Sequence, residues 1–346
     1  MTAIPSSNPP GGRSRAGRRA AGLILLLAAL LCLGLLSIGI GARPIPPDIA
    51  ARALLFPDGG RDALIVWDLR LPRTVLGILV GIGLGLSGAM MQALTRNPLA
   101  APGLLGINAG AAFLVVIAIS ALGVTSFSGY VWFALAGCAA TAAIVYLLGG
   151  HSSASVQQVR LVLAGAAVTA CLGAATGIIT LFNAQTFDSY RFWVVGSLQN
   201  RTPEVAFQVL PFIAIGAAIA MTMGGRLNAL ALGDDVCRAL GIRLGQVRTF
   251  SLIAIALLCG GSTAAAGPVG FVGLMVPHAV RLLVGSDWRW ILPYSLLAGP
   301  VIVLASDILG RIVAPPGELE VGIVTAFLGA PVLLWLVINH KAEGRS

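Results

Sequence analysis

Arg70 and Arg73 lie three residues apart in "LRLPR", directly ahead of the apolar run "TVLGILVGIGLGLSGAMMQAL". A guanidinium is a planar fork that binds carboxylates through two parallel hydrogen bonds. Two of them one helical turn apart can face outward together from the start of a helix. Carboxylate recognition is therefore the chemistry this pair offers, with snorkelling to lipid headgroups as the alternative for either arginine alone. Little other chemistry is available. The sequence has one lysine, Lys341, so the lysine of a G-x-x-x-x-G-K-[ST] phosphate loop is missing. All thirteen Asp and Glu fall in loops or at the ends of apolar runs, Asp307 lying closest to membrane depth. Ion-coupled carriers keep ionisable groups near the bilayer midplane, which disfavours that class here. His151, His278 and His340 are dispersed, and His278, after Pro277, suits packing or hydrogen bonding. No catalytic triad or metal cluster is legible. Cys32, Cys138, Cys171, Cys237 and Cys259 form no C-x-x-C pair and read as small buried hydrophobes.

The elements that position these residues are membrane helices. The chain of 346 residues is 57% hydrophobic and 10% charged, far below the ~25% charge of a soluble domain. Apolar runs of ~20 residues, each long enough to cross a bilayer core, recur throughout. The 44 glycines suit close helix contact in lipid. Ten spans are predicted, near 21–41, 73–93, 103–122, 129–149, 159–182, 206–224, 248–266, 268–284, 291–309 and 320–338. The first is too long for a signal-peptide core and is read as uncleaved. At Gly267-Pro268 the chain either kinks or turns. Residues 1–20 are expected to be a disordered basic cytoplasmic tail, 21–340 one transmembrane domain, and 341–346 a cytoplasmic tail.

Ten crossings put both termini on one side. That choice leaves Arg43, Arg52, Arg61, Arg70, Arg73, Arg191, Arg201 and Arg311 on the far face and the other fourteen of 22 basic residues with the termini. The bias places the termini in the cytoplasm. The net charge of +9 is scattered between spans, which speaks against a nucleic-acid partner.

Two polar stretches stand out on the cytoplasmic side. In the loop 225–247, "LNALALGDDVCRALG" predicts a short helix, a turn at Gly233 and a second short helix. Asp234 and Asp235 sit at the start of the second helix, where its dipole favours negative charge, and Gly241 stops it. Leu230, Leu232, Val236, Ala239 and Leu240 interleave with the charges, so the piece either docks a cytoplasmic protein or lies on lipid. The "NPLAAPG" stretch after the second span holds Asn97, Pro98, Pro102 and Gly103. Broken backbone at membrane depth is tolerated only under protein or beside a water-filled cavity. These four residues are a candidate wall of a pathway, or else a plain cytoplasmic turn. Gly81, Gly83, Gly85 and Gly88 would let the second span approach its neighbours closely from a central position.

Residues 70–112, 227–241, 266–285 and 304–336, in order, resemble the permease subunits of ATP-binding cassette (ABC) importers for iron chelates, haem and cobalamin. The likeness runs from about 65 to 338, and over 113–226 it is mainly one of span pattern. It implies the all-α, ten-helix fold of a type II importer permease in the bacterial plasma membrane. The implied partners are a second permease subunit, cytoplasmic ATPase subunits that use the ATP, and an external substrate-binding protein. The permease itself would be neither enzyme nor cofactor carrier. The resemblance assigns Arg70, Arg73 and Arg311 to docking of the binding protein. It assigns 227–241, with Leu230, Gly233, Asp234, Asp235, Ala239, Leu240 and Gly241, to coupling with the ATPase. The implied cargo is an iron–siderophore complex, with cobalamin or haem as the alternative and an ion-coupled secondary carrier as the reading from another class.

Overall fold

In a computed structural model the chain is described over residues 12–41, 45–56, 60–124, 126–149, 154–314 and 317–343. The expected tail 1–11, Arg43, His151 and residues 344–346 lie outside these, as do the side chains of His340 and Lys341. The described elements are α1 (Gly12–Gly39), α2 (Pro47–Leu55), α3 (Arg61–Leu64), α4 (Leu71–Thr95), α5 (Ile107–Leu122), α6 (Phe127–Gly149) and α7 (Ala154–Phe182). They continue as α8 (Ala184–Val194), α9 (Pro203–Ala231), α10 (Asp234–Ala239), α11 (Leu244–Ala266), α12 (Val272–Val284), α13 (Trp288–Val313) and α14 (Val321–Glu343). Seven helices are long and apolar enough to cross a bilayer, and Ile107–Leu122, Val272–Val284 and Val321–Leu334 are shorter apolar helices between or after them. Together they account for the ten spans.

Two boundaries depart from the sequence reading. The helix α1 begins at Gly12, so residues 12–20 of the expected disordered tail are helical. The second span starts well before residue 73, because α3, a π-turn over Ile65–Arg70 and α4 form one 35-residue helix. Pro72 explains the wide turn. It has no N–H to return to the preceding turn, and the Leu71 N–H reaches back five residues to Val66 O. The amphipathic α2 and the external α8, capped by the Asn183 side chain on Thr186 N at 2.9 Å, went unpredicted.

The helix α4 is the axis of the bundle, buried along nearly its whole length against α9, α11, α12 and α13. Its glycines set the spacing. A Cβ on Gly81 would lie 2.4 Å from the Pro300 backbone, and one on Gly88 would lie 1.9 Å from Gly273 O. Lipid gives apolar helices no reason to associate, so this backbone-to-backbone approach supplies much of the packing. At the outer helices the pattern inverts: α1 and α7 leave Ile24, Leu25, Leu31, Leu163 and Leu181 exposed, as a lipid-facing surface requires.

Between α11 and α12 the chain breaks rather than kinks. Gly267 has φ +78° and Phe271 φ +65°, and α12 restarts only at Val272. This irregular backbone is covered by protein. Ser197 N donates to Ala266 O at 2.7 Å and Gly322 N to Gly196 O at 3.0 Å, which meets the requirement for non-helical chain at membrane depth.

Candidate functional site

The face opposite the termini gathers Arg70, Arg73 and Arg311 into one network, with Arg70 and Arg311 turned inward. Arg70 donates to Ile38 O at 2.6 Å and Gly39 O at 2.8 Å. Arg311 donates to Ser37 O at 2.7 Å, Ile40 O at 2.8 Å and the Asp307 carboxylate. Those carbonyls close the C-terminal end of α1, where four acceptors lack intrahelical donors and the dipole is negative. Two guanidiniums satisfy them. Arg73 forms a two-pronged pair with Asp307, Nη2 at 2.7 Å and Nε at 3.1 Å, and reaches Glu318 at 2.7 Å through Nη1. Arg70 is 6% and Arg311 4% exposed. The outward orientation expected of Arg70 and Arg73 is therefore corrected for Arg70. Arg70 and Arg311 turn into the bundle because the end of α1 needs their donors, and only the Arg73–Glu318 edge approaches the surface. Spacing within 70–73 carries no information on Ser37, Glu318 or the carbonyls of α1, which lie far away in sequence.

Another buried cation, Arg201, precedes α9 on the same face. Burial draws its guanidinium down to about 10, against the opposing pull of Glu320 and Tyr130. Sequence reading missed it, since a lone arginine between spans carries no spacing signal.

On the terminal face the predicted helix–turn–helix is present, shifted. The helix α9 continues to Ala231, so 225–231 is membrane helix extended into the aqueous side rather than loop. Gly233 turns the chain at φ +115° and Gly241 at φ +71°. Between them, α10 buries Cys237 and leaves Val236 and Leu240 exposed, with Leu232 alongside. Burial and the Asp234 carboxylate push the Cys237 thiol above its usual range. Ala239 and Asp235 also face outward, and Asp235 pairs with Arg238 at 3.1 Å. Leu230 and Asp234 do not join this surface. Leu230 is 1% exposed, and the Asp234 carboxylate accepts from Arg96 at 2.5 Å and from Arg248 at 2.9 Å. The result is an apolar ridge on a small, backbone-defined helix with a polar root.

The proposed wall residues separate in the same way. Arg96 ends α4 in the left-handed region, φ +50°. Asn97 Oδ1 then accepts from Leu99 N at 2.9 Å, making a tight turn. Pro98 lines a cavity of about 530 Å³ together with Gln92, Arg96, Asn228, Arg281 and Asp287. Pro102 is buried against Gly273, whereas Gly103 is exposed in the 3-10 turn Pro102–Leu105. Asp287 also caps α13. Burial opposes its ionisation, but hydrogen bonds from Asn228 and Arg289 N, with Arg19 and Arg289 nearby, hold it below the usual carboxylate range. The three buried cysteines fit the packing reading, while Cys32 and Cys171 lie on exposed faces of α1 and α7 and correct it.

A ten-span helical bundle with a glycine-packed central helix and a short projecting helix on one face is the architecture of a multi-pass membrane protein. Residues 27–339 match the FecCD transport family, and the chain belongs to that family. It is 45% identical over 323 residues to the ferric enterobactin transport system permease protein FepD of Escherichia coli, covering 93% of this chain and 95% of that protein. It is 39% identical to the Fe(3+)-citrate import system permease protein YfmD of Bacillus subtilis, covering 91% and 93%. With the hemin transport system permease protein HmuU of Yersinia pestis it shares 34%, covering 93% and 96%. A solved inward-facing metal-chelate type ABC transporter superposes with TM-score 0.80 at 27% identity, over 92% of this chain and 99% of that one.

Proposed function

We propose that this chain is the membrane-spanning subunit of an ABC importer that passes a ferric siderophore into the bacterial cytoplasm. The observation that carries the cargo is the 45% identity to a ferric enterobactin permease across nearly the full length of both chains, against 34% to a hemin permease. The chain supplies a path and a moving frame. ATP is used by separate cytoplasmic ATPase subunits, in keeping with the missing phosphate-loop lysine. A substrate-binding protein delivers the chelate to the external face, which would free this chain from holding a cofactor or a specific metal site.

In this reading the Leu232, Val236, Ala239 and Leu240 ridge is the surface that meets the ATPase. Gly233 and Gly241 set its angle, and Asp235 and Arg238 rim it. The external arginines act through the shape of their face: Arg70 and Arg311 hold the end of α1, and Arg73 with Glu318 forms the edge a partner would meet. A second permease subunit would complete the path, with the 96–107 turn and the cavity beside Pro98 near its cytoplasmic exit.

Reconstitution in liposomes with the ATPase and binding protein tests the proposal. ATP-dependent uptake of ferric enterobactin that requires all three components is the expected outcome. Uptake of haem or cobalamin in its place would reassign the cargo and keep the machine. Uptake driven by a proton or sodium gradient without ATP would overturn the importer itself.

A further inference from the structure

The exposed ridge of α10 is a handle, and a handle must be fixed to what it moves. Gly233 breaks the chain between α9 and α10, and Gly241 breaks it again before α11. Backbone continuity therefore transmits motion of α10 poorly on both sides. The side-chain connection runs elsewhere. Asp234 opens α10, and its two carboxylate oxygens are divided between Arg96 at the end of α4 and Arg248 in the first turns of α11.

We infer that Asp234 is not a contact to the ATPase but an internal relay, which ties α10 through Arg96 to the central helix α4 and the 96–106 turn. This rests on the reading of α10 as the coupling element and names how that element acts.

Four observations carry it. The carboxylate is 14% exposed while its neighbour Asp235 is 98% exposed, so only the second is offered to a partner. Arg96 Nη2 donates to Asp234 Oδ1 and Arg248 Nη2 donates to Oδ2 at 2.9 Å, so each carboxylate oxygen accepts a charge-assisted hydrogen bond from a different helix. Arg96 holds a left-handed backbone at φ +50°, a conformation that is strained for a non-glycine residue and persists only where its surroundings enforce it. Finally, the same Arg96 lines the 530 Å³ cavity with Pro98, and its helix is packed backbone to backbone against α12 and α13. A displacement of α10 thus pulls on the one residue that ends the central helix and borders the cavity. A relay of this kind needs two arrangements of a contiguous network that both ends bias.

The test uses the full assembly with its ATPase and binding protein in liposomes. It compares Asp234→Asn, Arg96→Gln, the double variant and Arg96→Lys. The relay predicts that the two single variants keep the ATPase bound and hydrolysing, while uptake per ATP falls by about fivefold or more, the lower range of allosteric coupling. The double variant should be no worse than either single one, because both remove the same link. Arg96→Lys should recover most of the uptake. Spin labels at Val236→Cys and Gly103→Cys report the geometry directly: their distance change between ATP-free and ATP-trapped states should shrink in Asp234→Asn. The relay is overturned if Asp234→Asn releases the ATPase, if Arg96→Gln transports like wild type, or if the label distances respond unchanged. Failure of wild-type uptake with this chelate would refute the cargo and leave the label measurement readable.

Discussion

At the scale of single residues, the decisive feature is one carboxylate shared by two buried arginines. Asp307 and Arg311 are each 1% exposed in their side chains, and Arg73 is 13% exposed. Removing the negative partner would leave two guanidiniums away from water with one fewer charge to answer them. Breaking such a buried pair costs about 3–5 kcal/mol. Asp307→Asn should therefore lower the Tm of the purified permease in detergent and shorten its half-life on warming. An unchanged Tm would mean that Glu318 and the α1 carbonyls suffice. Asp307 was visible in the sequence as the acid nearest membrane depth, and its partners Arg73 and Arg311, like Arg70 beside them, were visible as arginines on an unfavourable side. What could not be read was their direction. Spacing says that Arg70 and Arg73 share a face, but whether that face meets solvent or the end of another helix depends on where α1 stops. That is set by contacts more than thirty residues away in sequence for Arg70 and more than two hundred for Arg311. The same limit applied to Asp234, whose place at the start of α10 was legible while its inward carboxylate was not.

At the scale of elements, glycine spacing was the reliable signal. Gly81, Gly83, Gly85 and Gly88 pointed to a central α4, and each lies against a neighbouring helix closely enough to exclude a Cβ. A contrast isolates this from helix propensity. Gly88→Ala places a methyl 1.9 Å from Gly273 O, so α4 and α12 must separate, and the variant should lose most of its folded yield in detergent-resistant form. Gly173→Ala on α7 meets nothing within 4 Å and gains helix propensity of about 0.5–1 kcal/mol, so it should fold at least as well as wild type. Equal loss in both would remove close packing as the explanation. Elements that do not cross the membrane were the ones missed. The short helices α2 and α8 bury few side chains and lack a full apolar run, so hydropathy passes over them. The π-turn before α4 follows from Pro72, and it lengthens that helix backward to Arg61.

At the scale of the whole molecule, we propose an orientation for the chain from charge and topology together. Ten crossings place α10, the 96–106 turn and the 285–287 turn on one face with both helical ends, and α2, α8 and the 314–320 segment on the other. Assigned to those faces, the residues of the full sequence give 14 basic and 4 acidic on the α10 side, net +10, and 8 basic and 9 acidic on the other, net −1, which together make the +9 of the chain. Orientation follows the basic residues rather than the net charge, and the acids account for the exceptions. Arg73 and Arg311 share Asp307, Arg191 lies 3.3 Å from Asp188, and Arg201 has Glu320 nearby. Arginines with built-in counter-charges do not need the cytoplasmic side. The prediction is that a membrane-impermeant maleimide on intact cells labels Glu204→Cys, ahead of α9, and not Asp235→Cys until the membrane is opened. Native thiols give little background, since Cys138, Cys237 and Cys259 are buried and Cys32 and Cys171 lie in apolar helices. The reverse pattern would put α10 outside the cell, beyond the reach of any ATP-consuming partner, and with it would fall both the coupling surface and the relay through Asp234.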